Sequence, residues 1–277
     1  GMGSAVGQVP EYIQEVTEWC KTHTELPVFV KLTPNITDIR RPARAAFDGG
    51  ADAVSLINTI NSIVSIDLDI MAPTPTVAGK GAHGGYCGPA VKPIALSMVS
   101  EIARDPHTVN MPISGIGGIS DWRDAAEYIS LGCGSVQVCT AAMRYGFRII
   151  EDMVDGLSNW MDEKGYAHLD DFRGAAVPNV TDWQYLDLNY KTIASIDQET
   201  CIECGLCHIT CEDTSHQAIA ATKDEDGKRI YTVIDEECVG CNLCYLVCPV
   251  PKCISMNEVD NGLPYLNWTE HPNNPMR

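Results

Sequence analysis

Four cysteines fall within eleven residues, Cys201, Cys204, Cys207 and Cys211, and the same spacing returns at Cys238, Cys241, Cys244 and Cys248, with Pro249 directly after. The pattern is C-x2-C-x2-C-x3-C, written twice. Three thiolates on one tight loop can hold three irons of a [4Fe-4S] cube, and the fourth cysteine of each run reaches across to the other cube. The spacing therefore assigns Cys201, Cys204, Cys207 and Cys248 to one cluster and Cys238, Cys241, Cys244 and Cys211 to the second. Structural zinc uses paired Cys or His with a longer gap between pairs. A disulfide framework belongs to small secreted chains, and no signal peptide is read here. Cys211 is followed by Glu212 instead of proline, which leaves the ligand set intact and alters only the local turn.

The chain has 277 residues and 13 cysteines. Beyond the eight ligands, Cys20, Cys87, Cys133, Cys139 and Cys253 are scattered, which argues for reduced thiols in a reducing compartment. No apolar run approaches the roughly 20 residues a membrane helix needs. A soluble, cytoplasmic protein is expected. Its 37 acidic and 19 basic side chains give a formal net charge of -18, which suits neither nucleic acid nor an anionic membrane. Solubility alone accounts for such a balance, and a docking protein with a basic patch would also match it.

Ahead of the cysteines, buried strands alternate with amphipathic helices. The chain opens on Gly1 and Met2, either a scar before a start methionine or the cut end of something longer. Helical spacing at 10–23 places Tyr12 or Ile13, Val16, and Trp19 or Cys20 on one face. A buried strand follows at 28–33, then a helix capped by Thr37 or Asp38 and disturbed by Pro42, and a second strand at 53–58. An irregular insert is expected over 60–91, with Pro73, Pro75 and a glycine-rich stretch from Gly79 to Gly88. A helix at 92–104, a strand at 112–116, a helix at 121–131, a strand at 135–141 and a helix at 145–163 complete the series.

Such alternation means a parallel sheet. Its glycine-rich strand ends suggest a (β/α)8 barrel, but about 250 residues make eight units and only four strands are present. The expected fold class is α/β plus α+β: the C-terminal half of a (β/α)8 TIM barrel at 1–165, a linker at 166–194, a bacterial-type 2[4Fe-4S] ferredoxin domain at 195–257, and an extended tail at 258–277. The ferredoxin domain repeats itself, IDQETC at 196–201 against IDEEC at 234–238, and a strand pair is expected near Ala218–Ala220 and Ile230–Ile234.

KLTPN at 31–35, NT at 58–59, GGYCGPAVKPIAL at 84–96, GIGGI at 115–119 and QVCTA at 137–141, followed by the cysteine repeats, resemble dihydropyrimidine dehydrogenase, most closely the bacterial NAD-dependent enzyme. The resemblance covers almost the whole chain. It implies FMN across the barrel mouth, with Lys31 beside the flavin ring, where a cation stabilises the reduced anion. Lys31 follows three apolar residues of a strand expected to be buried, which argues against a solvated loop. Gly88, Gly117, Gly118, Ile119, Cys139 and Thr140 are implied around the flavin phosphate, although glycines after strands are often simple turns. Asn58 and Thr59 would meet the pyrimidine, since an amide matches the alternating N–H and C=O edge of uracil or thymine; a turn cap is the other account of the pair. The 60–91 insert could close over that site, with His83 on its surface.

The resemblance further implies that uracil or thymine is reduced to the 5,6-dihydropyrimidine, with electrons from NADH relayed through the two clusters by an FAD flavoprotein subunit in a hetero-oligomer. No G-x-G-x-x-G dinucleotide fingerprint is expected in this chain, so NAD is expected to be handled by that partner. The family's catalytic cysteine should lie upstream of Gly1, and activity is not expected from this piece alone. Two alternatives are a dihydroorotate dehydrogenase-like enzyme acting on a carboxylated pyrimidine, and an electron-transfer module without catalysis of its own. Pairing of two half barrels is disfavoured because the family's halves contribute different residues.

Overall fold

The computed structural model describes residues 5–214 and 216–276. Gly1 and Met2, ahead of which the catalytic cysteine is expected, lie outside the described residues. The chain divides into two compact units, Gly1–Val180 and Thr181–Arg277.

In the first unit, helix α1 (Pro10–His23) opens on a proline, whose fixed φ suits the first helical position. Its buried residues are Ile13 and Thr17, and the Thr17 hydroxyl donates to the Ile13 carbonyl at 2.6 Å. The expected face is therefore corrected. Tyr12, Val16 and Trp19 remain 53%, 43% and 58% exposed. The contact is set by Gly49, so close that a Cβ there would lie 2.8 Å from the Gln14 carbonyl and 2.9 Å from the Thr17 Cβ. Close approach selects the 13–17 side, and Thr17 is tolerated there because its hydroxyl bonds within the helix.

Strand β1 (Phe29–Lys31) leads to α2 (Arg40–Asp48) and β2 (Ala53–Leu56). Ile39, not Thr37 or Asp38, takes the cap position of α2, but the Asp38 carboxylate still accepts the Arg40 N–H at 3.0 Å. Pro42 falls in the first turn, where no intrahelical donor is lost. The insert is not irregular: β3 (Ile60–Ser62) pairs antiparallel with β6 (Gly84–Tyr86), and between them β4 (Ser65–Asp67) pairs with β5 (Ala72–Thr74). The result is a double hairpin.

Helix α3 (Lys92–Ala103), β7 (Ile113–Ile116), α4 (Trp122–Ser130) and β8 (Cys133–Gln137) follow. The strand expected at 135–141 stops at Gln137. Cys139 and Thr140 instead cap and open α5 (Thr140–Tyr145), and the helix expected from 145 begins at α6 (Ile149–Lys164). The sheet is parallel in the order β1-β2-β7-β8, half of an eight-stranded barrel. As an edge strand β1 is not buried, and Phe29 is 56% exposed. The core lies between the sheet and its helices, around Val54, Leu56, Ala95, Val99, Ile102 and Tyr128. Phe172 returns after α6 to pack on Ala126 and Ile129.

The second unit is framed by a long antiparallel pair, β9 (Tyr190–Ile196) with β12 (Ile254–Asp260), running from Tyr190 opposite Asp260 to Ile196 opposite Ile254. Inside it, β10 (Ile219–Lys223) pairs with β11 (Arg229–Val233), near the expected strand pair. Each cysteine loop runs into a short helix, α7 (Leu206–Glu212) or α8 (Leu243–Val247). Gly205 and Asn242 precede these helices with φ of 78° and 68°, equivalent places in the two halves of the repeat.

Ile13→Ala should destabilise the first unit by about 2–4 kcal/mol through lost burial, whereas Val16→Ala should cost under about 0.5 kcal/mol; urea unfolding of the two variants measures the difference. Asp105, whose side chain is buried beneath the Arg44 guanidinium at 2.6 and 2.8 Å, provides a pH test. The Arg44 hydrogen bond holds its carboxyl below the usual range, partly opposed by burial. The folded value lies below the unfolded value of about 3.9, so the stabilisation is complete above that value and is lost as pH falls through the folded one. Thermal melts should show Asp105→Asn losing stability at neutral pH, with the gap to the parent chain closing below about pH 4.

Candidate functional site

At the C-terminal ends of the four strands the first unit holds a cavity of about 130 Å³. Lys31 at the end of β1 and Asn58 and Thr59 after β2 reach it from one side. Gly88 before α3, the loop Gly117, Gly118 and Ile119 after β7, and Cys139 with Thr140 after β8 close the other. All nine residues expected around flavin and substrate therefore line one cavity, joined by Gln137.

The glycine loop is held from beneath. Tyr128, fully buried, donates its hydroxyl to the Gly117 carbonyl at 2.6 Å. Burial raises the pKa of this phenol, which keeps it a donor. In a planar trans peptide, pinning that carbonyl toward Tyr128 directs the Gly118 N–H the opposite way. Among the described residues neither the Gly118 nor the Ile119 N–H donates to a protein group. Gly118 has φ 74°, and a Cβ there would lie 2.8 Å from the Gly88 carbonyl and 2.9 Å from the Lys92 Cβ. Glycine is thus required by both conformation and space. Two unpaired N–H groups on a loop whose first two residues are glycines suit an anion.

A second, polar cavity of about 450 Å³ shares Lys31, Asn58 and Thr59 with the first and adds Thr33, Asn35, Asn61 and His83. Asn58 Oδ1 accepts the Thr59 N–H at 2.8 Å. The amide is therefore less ambidextrous than its residue type suggests, with Nδ2 left as its outward donor. Gly85 of β6 lies so close to the Thr59 side chain that a Cβ would collide with it. His83 is exposed but lines this cavity. Residues 79–84, GKGAHG, do spell G-x-G-x-x-G, but they lie between the hairpin strands β5 and β6 and open no helix, so they lack the context of a dinucleotide site.

In the second unit Cys211 lines one cavity with Cys238, Cys241 and Cys244, the crossed set expected from the spacing. The Ala218 N–H donates to Cys211 Sγ at 3.1 Å. Cys201 and Cys204 are neighbours of Cys207, and Cys248 and Cys201 both lie beside the buried Cys253. Burial pushes the Cys207 thiol up to about 11. Among the described residues no three His, Cys, Asp or Glu side chains converge as a single-ion site requires.

Residues 2–161 match the family described as dihydroorotate dehydrogenase, and residues 194–256 match the 4Fe-4S dicluster domain. The chain belongs to the dihydroorotate dehydrogenase family. It is 44% identical over 218 residues to the NAD-dependent dihydropyrimidine dehydrogenase subunit PreA of Escherichia coli K12, covering 79% of this chain and 53% of that protein. It is 36% identical over 208 residues to the chloroplastic dihydropyrimidine dehydrogenase (NADP(+)) of Arabidopsis thaliana, 74% of this chain and 48% of that one. A dihydroorotate dehydrogenase B (NAD(+)) catalytic subunit of Pyrococcus abyssi is 41% identical over 177 residues, 64% of this chain and 56% of that one. The chain thus spans about half the length of the curated relatives it matches. A ligand-free dihydroorotate dehydrogenase structure from Eimeria tenella shares the fold, with TM-score 0.51 and 21% identity, covering 62% of this chain and 51% of that one.

These matches bring FMN to the barrel unit and [4Fe-4S] clusters to the second, and the residues present fit both groups. Several site residues escaped the sequence: Tyr128 and Gln137 on the flavin side, Asn35 on the polar side, and Lys92 with Asp124 behind the glycine loop. Asn35, Lys92 and Gln137 all fall inside the motifs that carried the resemblance, and that was the available signal.

Iron analysis of anaerobically purified protein should give about eight irons per chain, and Cys211→Ala should lower this to about four because only the cube it shares with Cys238, Cys241 and Cys244 is lost.

Proposed function

We propose that this chain is part of an oxidoreductase that reduces uracil or thymine to the 5,6-dihydropyrimidine, with electrons from NADH relayed by an FAD-carrying partner subunit in a cytoplasmic hetero-oligomer. The observation that carries this reading is the pairing of the barrel with the dicluster unit. The 218 residues matched to the E. coli dihydropyrimidine dehydrogenase subunit exceed the 180 of the first unit, so that likeness runs into the second. The 177 residues matched to the Pyrococcus enzyme are fewer than the first unit holds, so their number alone requires no such extension. Among the described residues no helix is long and apolar enough to cross a membrane.

Bound FMN supplies hydride transfer to the pyrimidine, and the two clusters supply the single-electron path that feeds it. The chain's own residues divide the remaining work. The Gly118 and Ile119 N–H groups, with Gly88 and the segment Cys139–Thr140 across the cavity, hold the phosphate. Lys31, which lines both cavities, would offer its positive charge to the reduced flavin. Asn58 Nδ2 donates to a ring carbonyl of the pyrimidine, and Thr59 lies beside it. The double hairpin walls the polar cavity and limits water at the reacting carbons.

A carboxylated pyrimidine would want a cationic partner for its extra charge. Among the described residues the polar cavity offers only Lys31 and His83 as basic side chains, the first already committed to the flavin. The test is a substrate panel on the full-length enzyme with its partner subunit. Uracil and thymine should be reduced with NADH, and dihydroorotate should not be oxidised; the reverse pattern would replace this reading with the dihydroorotate one. Asn58→Ala should lower kcat/KM for uracil by about 10- to 100-fold.

A further inference from the structure

We infer that Asn35 is a positioning residue for the pyrimidine site, holding the Asn58–Thr59 turn in register from the side that no strand covers. The inference rests on the pyrimidine reading of that site. In an antiparallel pair, successive residues turn their backbone N–H and C=O groups alternately toward and away from the partner strand. Segment 60–62 pairs with β6 through Ile60 opposite Tyr86 and Ser62 opposite Gly84. The Thr59 carbonyl and the Asn61 N–H are taken up elsewhere: Asn35 Nδ2 donates to the Thr59 carbonyl at 3.1 Å, and the Asn61 N–H donates to Asn35 Oδ1 at 2.8 Å. One side-chain amide thus acts as a one-residue strand.

Its own orientation is fixed. The Thr33 hydroxyl, on a residue only 6% exposed, accepts both the Asn35 backbone N–H at 3.2 Å and Nδ2 at 3.0 Å. The Asn58 N–H donates to the Leu32 carbonyl at 3.0 Å, a second tie between the same two loops. Lys31 lies four residues before Asn35, so the loop bearing the cation and the turn bearing the amide are joined as one piece. The directions of Asn58 Nδ2 and the Thr59 side chain follow from where this backbone is held.

The experiment uses the full-length enzyme with FMN bound. Asn35→Asp keeps size and the acceptor for Asn61 but sets a carboxylate against the Thr59 carbonyl. Uracil affinity, read from the flavin absorbance change on titration, should fall about tenfold, the scale of one misplaced hydrogen bond. FMN content and FMN affinity should stay as in the parent enzyme, which general damage to the fold would not allow. Thr33→Val, which frees the Asn35 amide without touching the turn, should weaken uracil in the same direction by a smaller factor, and it decides the matter where Asn35→Asp does not fold. Unchanged uracil affinity in both variants, or loss of FMN in step with uracil, overturns the inference alone. A parent enzyme that binds FMN but no uracil or thymine overturns the pyrimidine reading and the inference with it.

Discussion

The barrel unit depends on an ion pair behind its glycine loop. Lys92, the first residue of α3, places Nζ 2.6 Å from Asp124 and 2.9 Å from Glu127 on α4. The second Asp124 oxygen accepts the N–H groups of Ser120 at 2.7 Å and Asp121 at 3.2 Å. One carboxylate therefore ties the start of α3, the end of the glycine loop and the cap of α4. Both partners are mostly sheltered from water, so losing Lys92 would leave the Asp124 carboxylate without its cation in a poor dielectric. Gly118 is pressed between the Gly88 carbonyl and the Lys92 backbone only because these three segments converge.

A polar layer inside the half barrel follows the same logic. Gln137 Nε2 donates to Ser55 Oγ at 2.8 Å and to Ser114 Oγ at 2.9 Å, and Ser135 Oγ donates to Ser114 Oγ at 2.8 Å. Three adjacent strands are cross-linked where a barrel interior would ordinarily be packed with aliphatic side chains. The cost of burying Ser55 and Ser114 is offset by these hydrogen bonds, and Gln137 is fixed at the edge of the 130 Å³ cavity.

What could be read from the sequence divides along chemical lines. The cysteine repeats were legible because ligand spacing is imposed by the cluster, and the central strands β2 and β7 because a buried strand must be apolar. The double hairpin was not: its strands are three residues long, and Ile63, Ile66, Leu68, Ile70 and Met71 stay exposed, so no alternation marks a buried face. The same failure turned α1, where Val16 and Trp19 look like core and Thr17 is core. The nine residues expected around flavin and substrate came from family likeness, and they line one cavity. Asn35, Tyr128 and Asp124 act through hydrogen bonds across 11 to 26 residues or across loops, which no local pattern encodes.

The pairing of β9 with β12 has a consequence for how the protein is made. The strand ahead of the first cysteine meets the strand after the last, so both ends of the cluster unit leave side by side at Tyr190 and Asp260. Neither proposed ligand set is complete within one half of the repeat, since Cys211 serves with the second triplet and Cys248 with the first. A ribosome must have released the chain past Cys248 before either set is whole, and past Asp260 before its frame can close. Iron delivery to this unit must therefore wait until both motifs have left the ribosome, and a product broken off between them would carry thiols but no finished site.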